Sequence, residues 1–535
     1  MGMDIPLDTP NMAQDRLIEG DPVAQLAQSQ FGIDYLFPLQ RMAIANILDA
    51  METGERTRQL VLFPTGFGKS LCFQLPALLA PGPSVVVYPL LALMNDQERS
   101  LEKRGIPCAV FRGGMEDGER KQRQEAVHSG KARIIITNPE CLATTRLMDF
   151  LAKERIFHLA IDEAHCVSEW GETFRPSYLE LSKCIEAIQP TVVSAFTATA
   201  SPTVAEAVAR YIFGTDAFSL VSADIDKPNI RYSIEPTLCP AHTLLRLVTE
   251  KPKPLIVFDQ SRNGVRDICD IIRENTSLDA KFYHAGLSRE EKNAVEAWFM
   301  GSADGVLTAT CAYGMGVDKK NIRTVIHYSE PPSVEAYIQE SGRGGRDGAM
   351  AEAILLRCEN HRAPAKAEES GGNETDRLRA ARKAAFLKYA SSKACRRDYL
   401  HRLMGSELAS PCSGCDICDG SAPASPEGYV AIRSFFGRNG RRFDLKQSLR
   451  LLSQPKVQSL AEKRCGLEGA DPSTLGAFLS VQPTCAGAGV LSGWKEDEVR
   501  ILLREALASG ILAAGSGILG KHRLFIPRRH IALEV

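Results

Sequence analysis

No run of about 18 consecutive apolar residues occurs in the 535-residue chain, which argues against a helical membrane span. Charge of one sign is missing as well. The 64 Lys and Arg residues face 65 Asp and Glu, a net charge of −1, so bulk electrostatics point to no polyanionic or polycationic partner. Residues 1–20 lack the basic-then-apolar order of a secretory leader and are expected to form a disordered tail on a cytoplasmic protein. The 15 cysteines are mostly scattered singly rather than spaced as a disulfide framework, which suits a reducing compartment. No internal repeat is visible. What is present, 44% hydrophobic and 24% charged residues, suffices for three or four ordinary domains.

Short apolar runs alternate with longer helical patterns. Strands are expected at 59–63, 84–88, 133–137, 159–162 and 192–197, and in a second series at 254–258, 281–284, 305–310, 324–328 and 353–356. Runs such as Val85-Val86-Val87 and Ile134-Ile135-Ile136 suit strands covered on both faces of a parallel sheet. Two such series imply two α/β domains joined near Lys227-Pro228-Asn229. The expected division is one α/β domain at 21–226, a second at 227–360, a linker with a cysteine-bearing subdomain at 361–422, and a last domain at 423–535. In that last domain, helical periodicity covers 496–509, and the glycine-rich 515–520 between apolar runs suggests a β-hairpin.

The chemistry concentrates at two strand ends. Strand 59–63 runs into Pro64-Thr65-Gly66-Phe67-Gly68-Lys69-Ser70 and then a helix, the context of a phosphate-binding loop. Glycines let backbone N–H groups close on phosphate oxygens, and the helix N-terminus adds partial positive charge. Lys69 is placed to reach the β- and γ-phosphates of ATP, and Ser70 to hold Mg2+. The strict pattern asks for Gly five residues before Gly68; Phe63 stands there. The second strand, 159–162, ends in Asp162-Glu163-Ala164-His165. Asp162 can complete the Mg2+ shell while Glu163 orients and deprotonates the attacking water; His165 reads equally well as a packed core histidine.

These two motifs together resemble those of superfamily 2 helicases. The longer run Asp162-Glu163-Ala164-His165-Cys166-Val167-Ser168-Glu169-Trp170-Gly171-Glu172-Thr173-Phe174-Arg175-Pro176 resembles RecQ DNA helicases in particular, and the resemblance continues from residue 31 to 418. It implies two tandem RecA-like parallel-sheet domains, a small helical zinc subdomain and a divergent winged helix. It also implies that Gln40 reads the adenine edge, that Thr65, Gly66, Gly68 and Gln339 help hold the nucleotide, and that 88–97 touches DNA. Thr197-Ala198-Thr199-Ala200 would link hydrolysis to domain movement. Gly314-Met315-Gly316-Val317-Asp318 and the run 339–347 match the family's second domain. There Arg346, with Arg343 beside it, would stabilise charge on the γ-phosphate in the transition state. Trp170 and Phe174 are expected to stack on unpaired bases and Arg175 to contact phosphate or to stack. The chain departs from the family at Glu172 and Thr173, where His and Asp are usual, and at Phe37, where Arg is usual.

Cys412, Cys415 and Cys418 follow Cys395 and offer four thiolates, a set suited to structural Zn2+ or an iron–sulfur cluster. The family resemblance favours zinc. Around it, nine Lys or Arg residues between 377 and 402 face one acid, Asp398, and more follow at Arg433, Arg438, Arg441, Arg442, Lys446 and Arg450. These runs suit either a solvated helix face or a phosphate-tracking surface. The expected protein is therefore a monomeric, cytoplasmic, nucleoid-associated ATP-dependent DNA helicase using ATP, Mg2+ and Zn2+. It would act on single-stranded and duplex DNA in recombination and repair, with 3′–5′ polarity implied by the resemblance and with single-strand-binding and recombination proteins as partners. The alternatives are an RNA helicase, which the Trp170 loop and the cysteine set argue against, and a DNA-stimulated ATPase that remodels or anneals strands.

Overall fold

The computed structural model describes residues 21–64, 66–169, 176–198, 201–215, 217–223, 226–313, 319–358, 374–453, 488–515 and 523–527. It divides into two compact units, Met1–Ile225 and Asp226–Val535. Among the described residues, no helix is long and apolar enough to cross a membrane.

The first unit is built on a parallel sheet of seven strands: β1 (Thr57–Leu62), β2 (Ser84–Val87), β3 (Cys108–Val110), β4 (Ile134–Thr137), β5 (His158–Ile161), β6 (Val192–Thr197) and β7 (Ser219–Ser222). Their spatial order is β3-β4-β2-β5-β6-β1-β7. Central strands β2, β4, β5 and β6 are buried along their whole length, as helices on both faces require. The order places β5, β6 and β1 side by side, so the loops leaving their carboxyl ends converge. In open parallel sheets that edge is where ligands bind.

The second unit holds six parallel strands in the order β10-β11-β9-β12-β13-β8. They are β8 (Ile230–Thr237), β9 (Leu255–Phe258), β10 (Ala280–Tyr283), β11 (Val306–Ala309), β12 (Thr324–His327) and β13 (Ala351–Cys358). All ten strands expected from apolar runs are present, and among the described residues these two sheets hold three more that were not foreseen. Of these, β3 is only three residues long, β7 is an edge strand exposed at three of its four positions, and β8 alternates Arg231, Ser233 and Glu235 with apolar residues. The last two lack a continuous apolar run, while β3 has one in Cys108-Ala109-Val110-Phe111 but is short and lacks repeated β-branched residues.

Beyond the sheet, helices Glu374–Ser391 and Arg396–Leu403 lead into the cysteine loop, which attaches to edge strand β8. Arg396 donates to Asp416 Oδ1 at 2.8 Å, and Asp416 Oδ2 accepts the Ile234 N–H at 3.0 Å. Arg397, fully buried, donates to Asp226 and to the carbonyls of Lys227 and Ile230. Two of that run's nine cations are thus consumed inside the fold and serve neither a solvated face nor a phosphate-tracking surface. A buried charge is tolerated only when paired in this way.

The last segment packs helices Tyr429–Asn439, Leu445–Ser453 and Glu496–Ala508 around Ile432, Phe435, Leu452, Val499 and Leu502. Ala513–Ala514 pairs antiparallel with Leu524–Phe525, the base of the expected hairpin, whose connecting residues 516–522 lie outside the described ones. His242 ties this segment to the second sheet domain. Its ring stacks on Trp494 with centroids 3.7 Å apart, and its Nδ1 lies 3.0 Å from Glu498.

Candidate active site

The phosphate loop leaves β1 and enters helix Lys69–Leu79 through Gly66 (φ +88°) and Gly68 (φ +76°). Only glycine adopts such angles without strain. At Gly68 there is also no room for a side chain: a Cβ would lie 2.7 Å from the Gln40 amide nitrogen. Gln40 itself is buried in the first turn of helix Pro38–Thr53, where Pro38 opens the helix. Its Oε1 accepts the Phe37 N–H at 2.9 Å and its Nε2 donates to the Phe67 carbonyl at 2.7 Å. Segment 37–40 and the glycine loop 66–68 are thus joined through one side chain. They line a cavity of about 350 Å3 with Phe31, Ile33, Tyr35, Phe37, Phe67 and Ser70 among its walls.

At the neighbouring strand end, Lys69 Nζ lies 3.9 Å from Glu163 Oε1 and 3.4 Å from the Phe63 carbonyl. Asp162 is buried, and its Oδ1 accepts the Glu163 N–H at 2.9 Å. Burial, then the adjacent Glu163 charge, pushes the Asp162 carboxyl up to about 7, against the pull of Lys69. A buried carboxylate disfavoured by its own surroundings is a place where a cation is welcome. Glu163 takes φ +49°, a left-handed conformation that costs about 1–3 kcal/mol in a residue with a Cβ. Strain of that kind concentrates where a side chain must be aimed.

His165 is more than packing. Its Nδ1 lies 2.9 Å from Thr197 Oγ1 and 3.4 Å from Glu163 Oε2, so it bridges the carboxylate to the end of β6. From sequence alone His165 stands between core and site. Its place two residues after Glu163, where a buried strand end turns, was the available signal. The aromatic set Phe37, Phe63 and Phe67 was missed as a unit, although two of its members stand where glycine or arginine was expected.

Lys69, Ser70, Asp162, Glu163, Gly66, Gly68 and Gln40 are therefore brought together in the first unit. Thr65, Trp170, Glu172, Thr173, Phe174, Arg175 and residues 314–318 lie outside the described residues. In the second unit, Gln339 lies on helix Val334–Ser341, half-buried. Arg343 is buried with its guanidinium 6.0 Å from the Phe258 ring centre, and Arg346 is half-buried two residues further along the turn from Gly344. Helix Val334–Ser341 is anchored by a buried His327–Glu340 pair at 3.1 Å and by Tyr337 packed on Phe386 and Tyr389.

The four cysteines also converge: the sulfur atoms of Cys395, Cys412, Cys415 and Cys418 all lie within 4.8 Å of one another. Tetrahedral zinc–sulfur bonds of about 2.3 Å place sulfurs about 3.8 Å apart, and Cys395 and Cys415 are separated by 4.0 Å. Burial and the crowding of like thiols push Cys412 up to about 11. Burial also acts on Cys415, but N–H groups of Cys418, Arg396 and Ile417 outweigh it and lower that thiol. Donors of this kind stabilise a thiolate, the form that binds metal.

Two parallel sheets, a phosphate loop and a paired Asp-Glu strand end define a nucleotide-driven helicase motor. The model for DEAD/DEAH box helicases matches residues 37–207, and that for the helicase conserved C-terminal domain matches 240–348. Among solved structures, the DEAD-box helicase Mss116 bound to ssRNA and UDP-BeF is similar with a TM-score of 0.52 at 18% identity, covering 64% of this chain and 74% of that one. The DUF1998 helicase MrfA bound to DNA gives a TM-score of 0.50 at 18% identity, over 78% of this chain and 61% of that one. At such identity these establish the fold alone. Sequence relatives go further. The ATP-dependent DNA helicase RecQ of Pasteurella multocida (strain Pm70) is 32% identical over 460 residues, 84% of this chain and 72% of its own length. RecQ of Haemophilus influenzae is 32% identical over 474 residues, 86% and 73% respectively. The chain belongs to the RecQ family and is an ATP-dependent DNA helicase.

Proposed function

We propose that Lys69, Ser70, Asp162 and Glu163 form the hydrolytic half of this helicase. The observation that carries the reading is their convergence at the carboxyl ends of β1 and β5, with His165 and Thr197 closing the gap at β6. Lys69 holds the β- and γ-phosphates, the loop N–H groups cradle them, and Gln40 presents its remaining N–H and lone pair to the adenine edge. Ser70 and the buried Asp162 are the residues that would hold Mg2+, which when bound supplies charge neutralisation on the phosphates. Glu163 takes the proton of the attacking water. His165, in contact with both Glu163 and Thr197, passes the state of that carboxylate to the end of β6. Arg346 and Arg343 are the second unit's candidates for the transition-state charge, and Gln339 for holding the nucleotide.

The four cysteines hold Zn2+ as a closed structural site and fasten the basic helix to β8. The terminal helices and antiparallel pair form a divergent winged helix, giving motor domains at 21–226 and 227–360, the zinc subdomain at 361–422 and the last domain at 423–535. Trp170, Phe174 and Arg175 contact the single strand. The protein acts as a monomer in the cytoplasm, at the nucleoid, in recombination and repair. It moves 3′–5′ along DNA, alongside single-strand-binding and recombination proteins.

Strand displacement on 3′-tailed and 5′-tailed duplexes of DNA and of RNA tests polarity and substrate together. Unwinding of the 3′-tailed DNA alone is expected. Equal activity on the RNA duplex would contradict the DNA preference, and faster unwinding from the 5′ tail would contradict the polarity.

A further inference from the structure

The base-reading segment and the phosphate loop meet through aromatic rings that neither motif requires. The Phe67 ring stacks on Phe37, centroids 5.1 Å apart and planes 24° from parallel. It also rests on Phe63, fully buried at the end of β1, at 4.8 Å and a 54° tilt. Tyr35 meets Phe37 edge-on at 5.8 Å. Backbone links run beside the rings, because Gln40 accepts from the Phe37 N–H and donates to the Phe67 carbonyl. Phe37 is nevertheless 47% exposed and Tyr35 50%, although both line the cavity. Exposed aromatics facing a cavity mark binding surface rather than core.

We propose that Phe67 is a base-positioning residue: stacked on Phe37, it completes an aromatic wall for the nucleobase, so that a ring carried on the phosphate loop helps hold the base. This rests on the assignment of that loop as the ATP site. Phe67 is wedged between the fully buried Phe63 and the Phe37 ring, and its own carbonyl is tied to Gln40, so it is a fixed wall rather than a plug that swings aside. Phe67 acts through Phe37: removing it leaves Phe37 unsupported, and the base loses a flat partner. Every base has a π-face, so the wall strengthens all nucleoside triphosphates alike, while choice among bases stays with the edge contacts of Gln40.

Calorimetric binding of ATP, GTP and inorganic tripolyphosphate, each with Mg2+, to the full chain separates these roles. Phe67→Leu is expected to weaken ATP and GTP by about tenfold while tripolyphosphate stays within about twofold, leaving the ATP-to-GTP ratio unchanged. Phe67→Trp restores the aromatic and the affinity. The double variant Phe37→Ala/Phe67→Leu loses little more than Phe37→Ala, because the rings act as one unit. Equal weakening of ATP and tripolyphosphate would show that the ring only shapes the loop, and tighter ATP binding by Phe67→Leu would show that it is a plug. Either overturns the proposal, as would additive losses in the double variant or failure of Trp to restore binding. Wild-type protein that binds ATP no better than tripolyphosphate refutes the wall and leaves the ATP site standing. Protein that binds neither refutes both.

Discussion

Replacing Glu163 by Gln is expected to leave ATP bound and hydrolysis slowed by about 10²–10⁴-fold, the range for removal of a general base. The amide keeps the size and one acceptor of the carboxylate but cannot take a proton from water. Glu163 is held from several sides. Lys69 lies 3.9 Å away and His165 3.4 Å away, and the backbone at Glu163 is held at φ +49°. The strained backbone is independent of the side chain's charge, so the variant is expected to fold as the wild type does. Single-turnover hydrolysis, measured beside equilibrium binding of ATP, separates the two effects. Loss of binding in step with loss of hydrolysis would mean that Glu163 serves the phosphates through Lys69, and not the water.

The second large effect is expected at the cysteine cluster. Cys415 is fully buried between β8 and the preceding helices, and the loop around it hydrogen-bonds to Tyr232. Structural zinc contributes about 10–16 kcal/mol of binding free energy that exists only in the folded state. On the proposed zinc site, Cys415→Ser would remove one ligand and leave three crowded thiols without a cation. Metal analysis is expected to find one zinc per wild-type chain and almost none in the variant, and denaturation to begin at markedly lower denaturant. Undiminished zinc in Cys415→Ser would refute the ligand set. Iron and sulfide in the wild-type protein would replace zinc with a cluster.

Much of this fold was readable because its strands are buried on both faces. Runs such as Val85-Val86-Val87 and Ile134-Ile135-Ile136 have few alternatives to a central parallel strand. The edge strands escaped for the same reason reversed: Ser219–Ser222 and Ile230–Thr237 meet solvent or a later segment on one side, so their patterns are mixed. Strand-end geometry was legible where spacing is fixed by backbone, as at Lys69 and Ser70 after two positive-φ glycines. It was less legible where side chains from distant segments meet. Nothing local to Arg397 announces Asp226, and nothing local to His165 announces Thr197. The Phe37–Phe67 stack is hidden in the same way, since the two residues stand 30 positions apart and belong to different motifs. Basic residues misled for a related reason: composition counts Arg396 and Arg397 with the exposed cations, while the fold buries both.

The most direct test of the central claim, that the converged strand ends drive DNA unwinding, is strand displacement on a 3′-tailed DNA duplex by wild type and Lys69→Ala, with ATP hydrolysis followed in the same reaction. The wild type is expected to hydrolyse ATP faster with DNA present and to separate the strands, while Lys69→Ala does neither. Vigorous hydrolysis by the wild type without displacement on any tailed duplex, or displacement that survives Lys69→Ala, would contradict it.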